Sequence, residues 1–77
     1  MLGRELQKSR EAAGLTQEEL AFLAKVDRTY ISQLENDRKS PTVEVLLRLC
    51  HAMKTQASEI IARIEKSDGT SSFKVRK

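Results

Sequence analysis

The sequence predicts an all-α fold: five short helices in a compact bundle. Three observations carry the prediction. Apolar residues recur at spacings of three and four in five separate stretches. Capping and turn-forming residues separate those stretches. No strand pattern holds, since Phe73-Lys74-Val75 alternates over only three residues.

The first stretch, Leu2 to Ala13, puts Leu2, Leu6 and Ala13 on one face with Ser9 and Arg10 between them, while Arg4, Lys8 and Glu11 point elsewhere. Gly14 follows, where a left-handed turn closes a helix without steric cost. Thr16 is an N-cap with Glu19 three residues on, a capping box, and Leu15 before it can staple onto Leu20. The second helix runs from Gln17 to about Lys25, with Leu20, Ala21 and Ala24 at helical spacing. Asp27 offers the next N-cap, and the third helix runs from Arg28 to about Glu35 with Ile31 and Leu34 as its inner stripe. Asn36-Asp37-Arg38-Lys39-Ser40-Pro41 is a turn by composition. Thr42 caps a fourth helix, Val43 to Met53, in which Val43, Leu46, Leu47 and Cys50 give the i, i+3, i+4, i+7 pattern and Leu49 and Met53 widen the face. The fifth runs from about Ala57 to Lys66, with Ile60, Ile61 and Ile64 facing inward.

Seventy-seven residues make one domain, and a chain so short buries only roughly 60% of its unfolded surface, so the core must be economical. A hydrophobic share of 39% beside 32% charged residues fits a small soluble globular protein. No uncharged apolar run is long enough to span a membrane, and the charged N-terminal stretch is no signal peptide. A single cysteine forbids an internal disulfide and suits a reducing cytoplasm. The net charge of +3 (14 basic minus 11 acidic) fits an anionic partner and an ordinary soluble domain equally well, so the placement of charge has to decide. The expected organisation is a folded domain over 1–66 and a flexible basic tail over 67–77 that carries Lys74, Arg76 and Lys77.

The stretch from Thr16 to Asn36 carries the chemistry. Its second helix presents Arg28, Thr29, Ser32 and Gln33 on the outer face. Two helices around a tight turn, one braced and the next presenting short polar and basic side chains, suit insertion into a DNA groove. Arginine can fork onto guanine O6 and N7, glutamine can pair with adenine N6 and N7, and a threonine methyl can meet thymine. The bland alternative is a solvated polar face. Gln17 stands where free backbone N–H groups and the helix dipole favour an anion such as a phosphate, or else is an exposed first-turn residue. Asn36, Arg38 and Lys39, with Thr42 beside them, lie just after the reading helix, where side chains reach phosphates and position a protein without reading sequence. Tyr30 either bonds a phosphate through its hydroxyl or packs across Val43 at the edge of the core.

Arg10, Gly14-Leu15-Thr16-Gln17, Leu20-Ala21, Ala24, Val26, Ile31, Leu34-Glu35-Asn36, Pro41, Leu46, Leu49 and Ile60 form one signature in both type and spacing. On these residues the chain, from about 4 to 65, resembles the phage-repressor helix-turn-helix family (Cro/cI-like, also called XRE), with its lambda-repressor-like DNA-binding domain. The shorter run Arg28-Thr29-Tyr30-Ile31-Ser32 is also similar to the recognition helix of restriction-modification controller proteins. The resemblance implies a transcriptional regulator that binds a near-palindromic operator in double-stranded DNA as a homodimer, its third helix in the major groove. It places Arg28, Thr29 and Gln33 where bases are read and Ser32 beside them. It places Gln17 on a phosphate, bracing the recognition helix. It also implies a partly buried ion pair between Arg10 and Glu35, which reads as structural. The family favours glycine at three turn positions held here by Lys25, Asp37 and Lys54. With the backbone retained, each adopts a left-handed conformation at roughly 1 kcal/mol relative to glycine.

Enzyme chemistry has little support: no nucleophile has a paired base, and no glycine loop cradles a phosphate. Cys50 and His51 diverge by about 100° on a helix and cannot share a metal, so Cys50 reads as core and His51 as surface, and neither metal nor cofactor is expected. Ile60, Ile61 and Ile64 exceed what so small a core needs. Either all three face inward, or Ile61 or Ile64 packs against a second protomer, which would set two recognition helices roughly 34 Å apart. A repressor is the expected regulator, because blocking a promoter needs only binding. The contrasting expectation is a protein-interaction module, an antitoxin or adaptor half, that uses the fourth and fifth helices.

Overall fold

The computed structural model describes residues 2–67, and most of the expected basic tail, with Lys74, Arg76 and Lys77, lies outside the described residues. Five helices follow one another: α1 (Leu2–Ala12), α2 (Gln17–Ala24), α3 (Arg28–Glu35), α4 (Val43–Ala52) and α5 (Ala57–Ser67). There is no strand among the described residues. α3 packs on α1 and α2, α2 also packs on α4, and α5 closes the bundle against α1 and α4.

The starts of the helices follow local chemistry. Thr16 accepts from the Glu19 backbone N–H at 3.0 Å while the Glu19 carboxylate accepts from the Thr16 N–H at 2.9 Å, which completes the capping box of α2. Thr42 accepts from the Val45 N–H at 3.1 Å and caps α4. Asp27 departs from expectation: its backbone is extended as an N-cap requires, but its side chain makes no capping hydrogen bond.

Four helices end in one and the same turn. After α1, Gly14 N–H bonds the Glu11 carbonyl and Leu15 N–H the Arg10 carbonyl. Lys25 and Val26 close α2, Asp37 and Arg38 close α3, and Lys54 and Thr55 close α4 in the same nested way, which satisfies carbonyls that a helix end leaves open. The first residue of each pair is left-handed, with φ of 76 at Gly14, 62 at Lys25, 58 at Asp37 and 58 at Lys54. The expectation for the three non-glycine positions holds. Closure of the turn outweighs the steric penalty of a Cβ at each.

Leu6, Leu20, Ile31, Leu34, Leu49 and Ile60 are fully buried and are the largest such side chains. Three sequence readings need correction. α1 stops at Ala12, and Ala13 is exposed instead of facing the core, because it already rides the turn into Gly14. In α4 the buried face is Leu49, Cys50 and Met53 with Leu46 half-buried, whereas Val43 is 74% and Leu47 54% exposed. α4 is apolar around most of its circumference, so periodicity alone left its face open, and the packing of α2 and α5 selected one side. In α5, Ile60 is buried and Ile64 packs half-buried on the core, but Ile61 lies about 100° from Ile60 and is exposed.

α1 and α3 meet at Gly3. A Cβ there would lie 2.4 Å from the Glu35 carbonyl oxygen and 2.6 Å from that of Leu34. The Gly3 N–H donates to Asp37 Oδ1 at 2.9 Å, so the turn after α3 supplies a carboxylate to the open N-terminus of α1. On the far side of α1, Arg63 of α5 donates to the buried Glu5 carboxylate at 3.1 Å. No described buried side-chain nitrogen or oxygen lacks a partner.

Two stability outcomes are expected in chemical denaturation. Gly3→Ala forces α1 off α3 and should lower stability by about 1–3 kcal/mol. Lys54→Gly relieves left-handed strain at an exposed turn and should raise it by about 1 kcal/mol; an unchanged midpoint would show that the turn stores no strain.

Candidate nucleic-acid interface

The site grows from a buried charge. Glu35, at the last turn of α3, has a side chain only 4% exposed. Arg10 of α1 meets it two-pronged, Nε to Oε2 at 2.6 Å and Nη2 to Oε1 at 3.2 Å. A third Arg10 donor, Nη1, reaches the Leu15 carbonyl at 2.8 Å. The hydrogen bonding from Glu35 holds the Arg10 guanidinium above the ordinary arginine range, against the opposing pull of burial.

The pair extends outward. Gln17 Nε2 donates to Glu35 Oε1 at 2.9 Å, and Gln17 Oε1 accepts from Arg28 Nη1 at 3.4 Å. A chain of polar contacts therefore runs from the interior, Arg10 to Glu35 to Gln17, and ends on Arg28, the first residue of α3. The amide of Gln17 is oriented by both ends of that chain. The resemblance implied that Gln17 braces the third helix, but not that Arg28 is its partner, because 11 residues separate them and no local periodicity reports such a contact.

Most of the other expected residues are accessible to solvent. Arg28 and Thr29 are exposed on α3, with Ser32 and Gln33 half-buried along the same helix. Asn36, Arg38 and Lys39 are exposed in the loop that follows. Asn36 Nδ2 donates to the Ser32 carbonyl at 2.8 Å, so part of its polar capacity closes the end of α3. Tyr30 is half-buried with part of its side chain against the apolar core, whereas Val43 is largely exposed. Ile61 and Ile64 belong to α5, which packs on α1 and α4.

No group of three or more histidine, cysteine or acidic residues among those described could hold a metal ion. Cys50 is buried, and that burial pushes its thiol above the usual cysteine range. No described helix is long and apolar enough to cross a membrane.

A family model described as helix-turn-helix matches residues 6–60. The chain belongs to the helix-turn-helix family. It is 33% identical over 61 residues to an uncharacterised HTH-type transcriptional regulator, y4dJ, from Sinorhizobium fredii, a match that covers 79% of each chain. Among solved structures it is similar to the restriction-modification controller protein C.AhdI from Aeromonas hydrophila, with a TM-score of 0.74, 34% identity, and coverage of 77% of this chain and 89% of that one. It is also similar to the clp gene regulator ClgR from Corynebacterium glutamicum, with a TM-score of 0.84, 30% identity, and coverage of 95% and 78%. The expected resemblance, including its finer strand toward controller proteins, is thus met. This helix-turn-helix protein is a transcriptional regulator of the DNA-binding kind and not an enzyme.

Glu35→Ala should lower stability by about 3–5 kcal/mol, because it strands the Arg10 charge in the interior; a loss under about 1 kcal/mol in urea unfolding would mean that solvent reaches the pair. The Cys50 thiol should resist an aromatic disulfide reagent in the folded protein and react once the chain is unfolded in urea. Prompt labelling of the native chain would contradict its burial.

Proposed function

We propose that this regulator is a repressor that binds a near-palindromic operator in double-stranded DNA as a homodimer, with α3 in the major groove. The observation that carries the reading is the polar chain Arg10–Glu35–Gln17–Arg28, which orients an exposed arginine at the start of α3 from behind. In this reading Arg28, Thr29, Ser32 and Gln33 contact base edges. Gln17, Asn36, Arg38, Lys39 and the Tyr30 hydroxyl contact phosphates and fix the register. The exposure of Ile61 and the half-burial of Ile64 support α5 as the dimer contact. Such a regulator works where the chromosome is, in the cytoplasm. The similarity to an HTH-type transcriptional regulator supports regulation of transcription, and repression follows from the simplest physics, occlusion of a promoter by a bound protein.

Binding to a random duplex library at physiological salt, followed by sequencing of the bound fraction, tests the reading. A two-fold symmetric site would support it and give the half-site spacing; a bound fraction without a motif would sink it. Arg28→Ala should weaken specific binding by about 1–3 kcal/mol and leave non-specific binding nearly unchanged. Lys39→Ala should weaken both alike and flatten the slope of log affinity against log salt by about one.

A further inference from the structure

Four large apolar side chains, Phe22, Leu23, Val43 and Leu47, stand exposed on α2 and α4, which pack against each other. Phe22 is 83% and Leu23 51% exposed. Leu23 joins two shallow concave surfaces. It shares one with Phe22, Glu18 and Glu19, and the other with Leu47, Lys25 and Arg48. The apolar surface is therefore continuous across both helices. Neither the core nor the polar chain behind Arg28 uses it.

Charge is arranged along this surface in one direction. Glu18 and Glu19 flank Phe22 and Leu23 at the N-terminal end of the surface, and Lys25, the left-handed residue that closes α2, lies with Leu23 and Leu47 at the other end. At that end Arg48 pairs with Glu44 at 3.9 Å, and Lys25 supplies the net positive charge. A contact across a two-fold axis must be complementary to itself. With the axis through the apolar middle, a half-turn lays the acidic end of one copy on the basic end of the other. A parallel alignment would set carboxylates on carboxylates.

We propose that this face pairs with the same face of a second copy of the chain, the two α2 helices antiparallel and Phe22, Leu23 and Leu47 at the centre. An apolar patch rimmed by charge is the usual mark of a contact surface. Its extent is small beside the 20–30 residues a side of a standard interface, so the association is weak. The contact is separate from the α5 dimer and does not rest on operator binding.

The test is sedimentation equilibrium of the full chain at low salt, in an Ile61→Glu background that removes the α5 contact. That parent should self-associate at roughly 1 mM, the weak end of the measurable range. Adding Leu23→Glu should weaken the association more than about tenfold, as expected for a central contact residue, with circular dichroism to show that the helices persist. The charges give an independent readout that spares the apolar centre. Glu18→Lys and Lys25→Glu should each weaken self-association, and an equimolar mixture of the two should restore it, because both cross-pairs are then of opposite sign. A parent that stays monomeric, an association that survives Leu23→Glu, or a mixture no stronger than its separate components would each overturn the proposal. Equal association of the wild type and the Ile61→Glu chain would count against the α5 contact and for this one.

Discussion

The contact between Arg10 and Glu35 is the constraint from which the polar chain that reaches Arg28 starts. Two charges taken from water are held favourably only when their geometry is good and their remaining polar atoms are occupied. Both conditions are met. The guanidinium meets the carboxylate two-pronged, its third donor goes to the Leu15 carbonyl, and the carboxylate accepts further from Gln17. One buried pair thereby joins α1, the turn that ends it, α2 and α3. An apolar contact between the same helices would hold them together without fixing a direction. Hydrogen bonds have direction, and here they reinforce the rotation of α3 that its apolar side chains favour, with Ile31 and Leu34 in the core and Arg28 and Thr29 facing out.

A small domain needs such devices because its core is thin. Among the buried apolar residues, Ala21, Ala24 and Cys50 contribute little area each, and the large ones are spread over all five helices. Polar clamps at the edges hold what the core does not. Gly3 lets α1 lie directly on the end of α3, and Asp37 returns a carboxylate to the start of α1. Arg63 and Glu5 tie α5 to the opposite side of α1. Asp37 has two uses at once: it tolerates the left-handed turn and it caps a helix 34 residues away.

Much of this was legible in advance where the signal is local. Helix starts follow from Thr16 and Thr42, since a hydroxyl three residues from a free N–H bonds it regardless of distant context. The left-handed turns at Lys25, Asp37 and Lys54 follow once the resemblance is recognised, because it implies glycine at those positions and a retained backbone is then left-handed there. The outer face of α3 was legible too, because only two of its positions, Ile31 and Leu34, are strongly apolar and the rest must point away. The ion pair of Arg10 and Glu35 came from the resemblance; nothing in their spacing of 25 residues would have shown it.

The sequence by itself determined the five helices, the caps at Thr16 and Thr42, the all-α class and the family, all of which depend on interactions within about a turn or on a pattern of residue types. Only the tertiary structure decided which side of α4 is core, that Ile61 stands out while Ile60 turns in, and that Phe22, Leu23 and Leu47 form one exposed surface. It alone decided the links Gln17–Arg28, Gly3–Asp37 and Glu5–Arg63. The reason is physical: a helix with apolar residues around most of its circumference is equally content with several faces buried, and a side chain's partner across the bundle is set by how neighbouring helices pack, which no local periodicity encodes.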